Sequence, residues 1–168
     1  IFEMMDIFYS NFLSKIIFEY KKHYLLSLSI QKDPQAQFNL GLIYKEGRNV
    51  KRDIDKAIHY FSLAANQNYK EALCNLGRIY YNGQYVTRDI KKAFHYFLLA
   101  AKQNDLEAQF NLGVIYYDGR YVTRDINKAI FYFSLAANQN DPQAQYNLGL
   151  IYSEGKYVTR DINKAIHY

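Results

Sequence analysis

The sequence predicts an all-α fold, a solenoid of antiparallel helix pairs, on three observations. One pattern returns every 36 residues: Ala36, Ala72, Ala108 and Ala144 mark it, and so do the pairs Leu40-Gly41, Leu76-Gly77, Leu112-Gly113 and Leu148-Gly149. Asp53, Asp89, Asp125 and Asp161 keep the same register, as do Lys56-Ala57, Lys92-Ala93, Lys128-Ala129 and Lys164-Ala165. Apolar residues inside each copy, such as Ala36, Leu40, Ile43 and Tyr44, recur at helical spacing. All 8 glycines occupy two slots of the repeat. A fixed period of this size marks stacked supersecondary units with neighbour-to-neighbour contacts.

Residues 1–35 match the pattern only at their end, where Lys22-His23-Tyr24-Leu25 aligns with Ile58-His59-Tyr60-Phe61. No glycine stands upstream where Gly41 and Gly47 would predict one. This segment reads as a degenerate repeat or a capping helix, with Phe8, Phe12, Ile16 and Tyr20 on one face. A cap is expected because an open solenoid end exposes apolar surface. Three full units follow, 36–71, 72–107 and 108–143, then a shortened one, 144–168.

Within each unit a first helix, A, is expected at 34–46, 70–82, 106–118 and 142–154. Asp33-Pro34 and Asp141-Pro142 open it: Asp accepts backbone N–H bonds, and Pro at the first helical position sacrifices no needed donor. Gly47, Gly83, Gly119 and Gly155 end it, since a left-handed terminating residue wants no Cβ. Gly41, Gly77, Gly113 and Gly149 fall inside helix A, where each costs about 1 kcal/mol relative to Ala. The expected compensation is close approach by the second helix, B, through small residues such as Ala57, Ala64 and Ala65. Helix B is expected at 53–67, 89–103, 125–139 and from 161 onward. Its Asp suits a helix N-terminus, and Ile54, Ala57, Ile58, Phe61 and Ala65 form its buried stripe. Asn66-Gln67-Asn68 and Asn138-Gln139-Asn140 read as short polar turns into the next unit.

The pattern A-x-x-x-L-G-x-x-Y-x-x-G, then D-x-x-K-A-x-x-x-[FY]-x-x-A-A, resembles the Sel-one-like repeat, the 36-residue relative of the tetratricopeptide repeat. The match covers 36–168 and, weakly, 21–35. It departs in the loop after Gly47, where the family often has a second Gly and Asn49, Tyr85, Tyr121 and Tyr157 stand here. The resemblance implies a right-handed superhelix with helix A lining the concave face. It also implies an adaptor or scaffold that binds a protein or extended peptide without catalysis. Asn39, Asn75, Asn111 and Asn147 would form a ladder there, with rungs about 10 Å apart. The tetratricopeptide family uses an Asn at this place to hold a peptide backbone, and an amide can both donate and accept.

Neighbouring helix A slots vary between copies: Phe38, Cys74, Phe110 and Tyr146; Leu42, Arg78, Val114 and Leu150; Lys45, Tyr81, Tyr117 and Ser153. Copies that agree on core slots and differ here suggest either a partner surface, with aromatics and Arg as anchors, or surface drift and partial burial between adjacent A helices. The residues expected to bind are therefore Phe38, Asn39, Leu42, Asn75, Arg78, Tyr81, Phe110, Asn111, Val114, Tyr117, Tyr146 and Asn147. The alternative is that these Asn bond within the stack. Tyr44, Tyr80, Tyr116 and Tyr152 read as filling the A–B contact, each hydroxyl finding a partner.

The net charge of +5 is spread along the chain, and no unit carries a concentrated basic field. Arg52, Arg88, Arg124 and Arg160 form a row that could track phosphates, but the adjacent Asp row offsets it. A nucleic-acid-binding helical repeat is thus the weaker alternative. His23, His59, His95 and His167 share one slot too widely spaced for a metal. No catalytic motif is present, no cofactor is called for, and Cys74 reads as an inert thiol. The remaining enzymatic alternative is a catalytic domain outside this segment. No apolar run is long enough to span a membrane, no signal peptide is seen, and one cysteine permits a reducing compartment; together these point to the cell interior. The first residue is not Met and the last copy is unfinished, so a longer natural protein is expected. The open final unit, with Ile162, Ala165 and Ile166, is a candidate for end-to-end self-association.

Overall fold

The structure, a computed structural model, describes residues 2–47 and 49–168, with side chains from residue 12 onward. The described residues form α-helices joined by turns, without strands: α1 (Phe2–Ile30), α2 (Pro34–Glu46), α3 (Ile54–Ala65), α4 (Lys70–Asn82), α5 (Ile90–Ala101), α6 (Leu106–Asp118), α7 (Ile126–Ala137), α8 (Pro142–Glu154) and α9 (Ile162–His167). The expected A helices are α2, α4, α6 and α8, and the B helices are α3, α5, α7 and α9. The chain divides into two compact units, Ile1–Ala72 and Leu73–Tyr168.

In the first unit, Asp33 caps α2 by accepting from the Ala36 N–H, with Pro34 behind it. Gly47 ends the helix at φ +73°, its N–H bonded to the Ile43 carbonyl. The chain then returns: the Asp53 N–H donates to the Tyr44 carbonyl at 3.0 Å. The Asp53 carboxylate in turn accepts from the Lys56 N–H at 2.9 Å and so starts α3. One residue thereby closes the loop and opens the next helix. Helix B stops at Ala65, two residues before the expected end. Asn68 turns left-handed, at φ +60°. Its N–H bonds the Ala65 carbonyl, and the Tyr69 N–H reaches back to that of Ala64. This paired termination satisfies carbonyls that would otherwise be orphaned, and Asn is the residue after Gly that tolerates the conformation best.

Residues 2–30 form one uninterrupted helix. With no glycine to stop it, no hairpin forms. Its C-terminal half packs Leu25, Leu26 and Leu28 on Ala36, Leu40 and Ile43. The face expected to carry a cap's apolar stripe is uncovered: Phe12, Ile16 and Tyr20 are exposed. The side chain of Phe8 lies outside the described residues.

The helix A glycines are explained differently from the expectation. A Cβ on Gly41 would stand 2.5 Å from the Phe61 ring, and in the second unit one on Gly77 or Gly113 would stand 2.6 or 2.5 Å from Phe97 or Phe133. The compensation is an aromatic ring seated in a glycine notch, with buried Ala57 and Ala64 flanking it. Small residues on helix B are not themselves what these three glycines admit; Gly149 alone faces one, the Ala165 carbonyl at 3.5 Å. Phe61, Phe97 and Phe133 are at most 1% exposed, and burying such a ring is worth about 1.5–3 kcal/mol. That exceeds the propensity cost of one helical Gly.

The second unit repeats these devices. Gly83, Gly119 and Gly155 end their helices at φ +63°, +68° and +62°. Asn104 and Asn140 take the left-handed position of Asn68. Asp105 and Asp141 donate back to Ala100 and Ala136, and their carboxylates cap α6 and α8. An amide pair, with Gln109 buried and Gln139 half-buried, is added to the turns. Gln139 Nε2 donates to Gln109 Oε1 at 2.8 Å, and Gln109 Nε2 donates to Asn104 Oδ1 at 2.9 Å. Gln67 and Gln37 make the same pair in the first unit. Leu73 fills that slot in α4 and is buried as a plain apolar side chain.

Candidate binding face

Helix A positions outside the glycine notch are the sites the sequence singles out. On α6, Asn111 Nδ2 donates to the Glu107 carbonyl at 2.8 Å, and on α8 Asn147 Nδ2 donates to the Gln143 carbonyl at 2.8 Å. Each bond runs one helical turn back and fixes the amide. One donor hydrogen is engaged, and the amide oxygen stands as the acceptor. On α4, Asn75 Oδ1 accepts from Arg78 Nη2 at 2.8 Å, while Arg78 Nη1 lies 3.6 Å from Glu107 Oε1. That ion pair joins α4 to α6. Both partners are about two-fifths exposed, so its worth is small, at most about 1 kcal/mol. In the first unit, Asn39 and Leu42 line a hollow of about 350 Å³ between α1 and α2, with Phe18, Lys21 and Glu46.

The variable slots divide. Phe38 lies 5.7 Å from Phe61 and 5.4 Å from Tyr69, ring to ring, and Phe110 lies 5.8 Å from Phe133. Cys74 is buried in the same slot. Burial, with Glu107 and Asp105 nearby, pushes its thiol far up, the direction of an unreactive group. This slot therefore leans on the ring that fills the notch, and only Tyr146 is well exposed. Arg78 is half-exposed, Val114 packs on the Phe133 cluster and Leu150 is exposed. Tyr81 lies edge-on to Phe97, and Tyr117 is perpendicular to Tyr157.

The Tyr44 series has ring partners that the sequence does not announce. Tyr44 stacks on Tyr60 at 5.7 Å, and the Lys56 ammonium lies 5.3 Å from the Tyr44 centroid. Asp53 Oδ2 then lies 3.2 Å from that ammonium. The stack recurs as Tyr80–Tyr96 with Lys92, Tyr116–Tyr132 with Lys128, and Tyr152–Tyr168 with Lys164. This is why Lys recurs three residues after Asp: it bridges a carboxylate and a ring face. Partial burial raises the Tyr60, Tyr96 and Tyr132 hydroxyls, and the neighbouring tyrosine adds to the effect. The bond from the Lys56, Lys92 or Lys128 N–H lowers Asp53, Asp89 or Asp125.

The arginine row is also engaged. Arg124 Nη1 donates to the Tyr157 hydroxyl at 3.0 Å and Nη2 to the Asp118 carbonyl at 3.1 Å. The Arg88 guanidinium lies over Tyr81 and Tyr121 at 5.4 and 5.3 Å. The adjacent Asp residues lie beside their own Lys, Asp89 with Lys92 and Asp125 with Lys128. The loop tyrosines at 121 and 157 act as the arginine partners, a contact 33 residues away in sequence that no local signal reveals. His59 and His95 are exposed, each against the following tyrosine. No group of three or more His, Cys, Asp or Glu among the described residues could hold a metal. No helix among them is long and apolar enough to cross a membrane.

Comparison with known proteins agrees with this architecture. The Sel1 repeat family model matches residues 34–69, 70–105, 106–141 and 142–168, each match beginning at the first residue of an A helix. A protective antigen of uropathogenic Escherichia coli with an SLR fold is 34% identical, with a TM-score of 0.82 over 87% of this chain and 31% of that one. A Sel1 repeat protein of Oxalobacter formigenes is 33% identical, with a TM-score of 0.77 over 87% and 60%. Helicobacter pylori cysteine rich protein B is 27% identical, with a TM-score of 0.56 over 73% and 93%. The chain thus spans under a third of the Escherichia protein and three fifths of the Oxalobacter one. None of the curated proteins matches it. Sel1 repeat proteins are in general non-catalytic protein-interaction modules.

Proposed function

Because this chain belongs to the Sel1 repeat family, we propose that it is a non-catalytic adaptor binding a protein or extended peptide along its A helices. The observation that carries this reading is the state of the helix A amides in the second unit. Asn111 and Asn147 are held in place by their own helices, each with its oxygen left as an acceptor. A pre-set acceptor row recognises main-chain N–H groups whatever the partner's sequence, and the receptor loses little freedom on binding. Arg78 and Glu107, half-exposed and paired across α4 and α6, flank that row with both signs of charge. Within the second unit, Phe110 serves more as the footing of this face than as an anchor. Tyr146 and Val114 then tune which side chains fit.

The test begins with peptides selected from a random library on the 168-residue chain. Amide shifts on titration are expected to cluster around Asn111 and Asn147, and N111A/N147A is expected to weaken binding by about tenfold, the loss of roughly one amide hydrogen bond per site. Shifts confined to the outward faces of α5 and α7 would contradict the assignment.

A further inference from the structure

At the start of α5, Thr87, Arg88, Asp89, Ile90, Lys91, Lys92 and Tyr121 line a hollow of about 470 Å³. Its charges are unevenly used. Asp89 Oδ2 lies 3.6 Å from Lys92 Nζ, and Lys92 also lies over Tyr80. That carboxylate and that ammonium therefore answer each other. Arg88 is fixed differently: its Nε donates to the Tyr81 carbonyl at 2.9 Å, and its plane lies over Tyr81 and Tyr121. Among the described residues no carboxylate pairs with Arg88 or with Lys91. The result is a guanidinium held in one orientation with two terminal amino groups available, an ammonium three residues on, and a threonine hydroxyl at the rim.

The corresponding positions in the other copies lack this combination. Arg124 has its terminal nitrogens bonded to Tyr157 and the Asp118 carbonyl. The Lys91 slot holds Asp55, Asn127 or Asn163 elsewhere. The hollow at the start of α3, lined by Arg52, Asp53, Asp55 and Lys56 among others, accordingly carries a second carboxylate.

We propose that the hollow at Thr87–Lys92 binds a phosphate monoester carried by a side chain of the bound protein. Three cations and one carboxylate leave an excess of two positive charges. A phosphate monoester brings roughly −1.5 to −2 at neutral pH and three acceptor oxygens. A guanidinium fork with an added point charge matches such a group better than it matches a single carboxylate, which would also meet Asp89 at closer balance. The protein source of the phosphate rests on the adaptor reading above; the anion chemistry of the hollow does not.

The test is an amide NMR titration of the intact chain with inorganic phosphate, a short phosphoserine peptide and its unphosphorylated twin, at constant ionic strength. Saturable shifts at 87–92 and Tyr121 are expected with phosphate and with the phosphopeptide, and none with the twin. Lys91→Asn, which installs the residue of the third and fourth copies at an exposed position, should keep the fold and weaken both by about tenfold, the loss of one charge-assisted contact. R88Q should weaken them further. Equal shifts at the matching residues 123–128, shifts reproduced by chloride, or a phosphopeptide that leaves 87–92 unmoved would each overturn the proposal. Peptide selection on the A-helix face reads a different set of amides, so either idea can fail without the other.

Discussion

A methyl group added at Gly113 would meet the Phe133 ring at 2.5 Å, whereas one added at Gly149 meets only the Ala165 carbonyl, at 3.5 Å. The same substitution is therefore expected to act with opposite sign at two equivalent slots. Gly113→Ala should destabilise by about 1–3 kcal/mol, because overpacking a filled notch outweighs the gain in helix propensity. Gly149→Ala should stabilise by up to about 1 kcal/mol. Denaturant midpoints of the two variants decide it. The pH dependence also belongs to single residues. Tyr60, Tyr96 and Tyr132 hold their protons more tightly folded than unfolded. Their contribution is complete below about pH 10 and is lost as pH rises through the raised folded values. Asp53, Asp89 and Asp125 are lowered. Their contribution is present above about pH 4 and is lost as pH falls through the lowered folded values. Melting temperature is expected to be level between those limits and to fall outside both.

At the scale of the element, the turn from helix B to the next helix A does two jobs with few residues. Asn104 reverses the chain in the left-handed region, and Asp105 both closes the turn and caps α6. Asn104→Ala should cost about 1–2 kcal/mol, the penalty for a Cβ without a compensating side-chain bond in that conformation, and it also removes the acceptor of Gln109. Asn104→Gly should recover most of the loss in a thermal melt. A similar cost for both variants would place the effect in the amide bond alone. Helix A is legible to the residue because its signals are local: Asp-Pro or Asp at the start of α2, α6 and α8, glycine at the end, and for α4, which follows Tyr69, the register of the repeat. The end of helix B is not, because Asn68, Asn104 and Asn140 look like ordinary turn residues until their φ is known. The content of the glycine notch was missed for another reason. The apolar pattern puts Phe61 in the buried stripe, but which side chain enters a gap on another helix depends on packing 20 residues away. The Arg88–Tyr121 and Arg124–Tyr157 contacts join different copies and leave no mark in either copy alone.

At the scale of the whole molecule, copying separates what holds the chain together from what is left to bind. The glycine notch, the filling phenylalanine, the Tyr–Lys–Asp stack and the two helix caps recur because each copy needs them to pack. The helix A asparagines recur as well, yet in α6 and α8 their amides bond back to their own helix, at the Glu107 and Gln143 carbonyls. If the Asn face is free for a partner, removing it must leave the stack intact. Thermal unfolding of N111A/N147A beside G77A/G113A, followed by helical signal, tests that separation most directly. The account predicts that the Asn pair melts at or slightly above the parent chain, since Ala is the better helix former, while the Gly pair melts well below it. An Asn pair that melts as low as the Gly pair would contradict it.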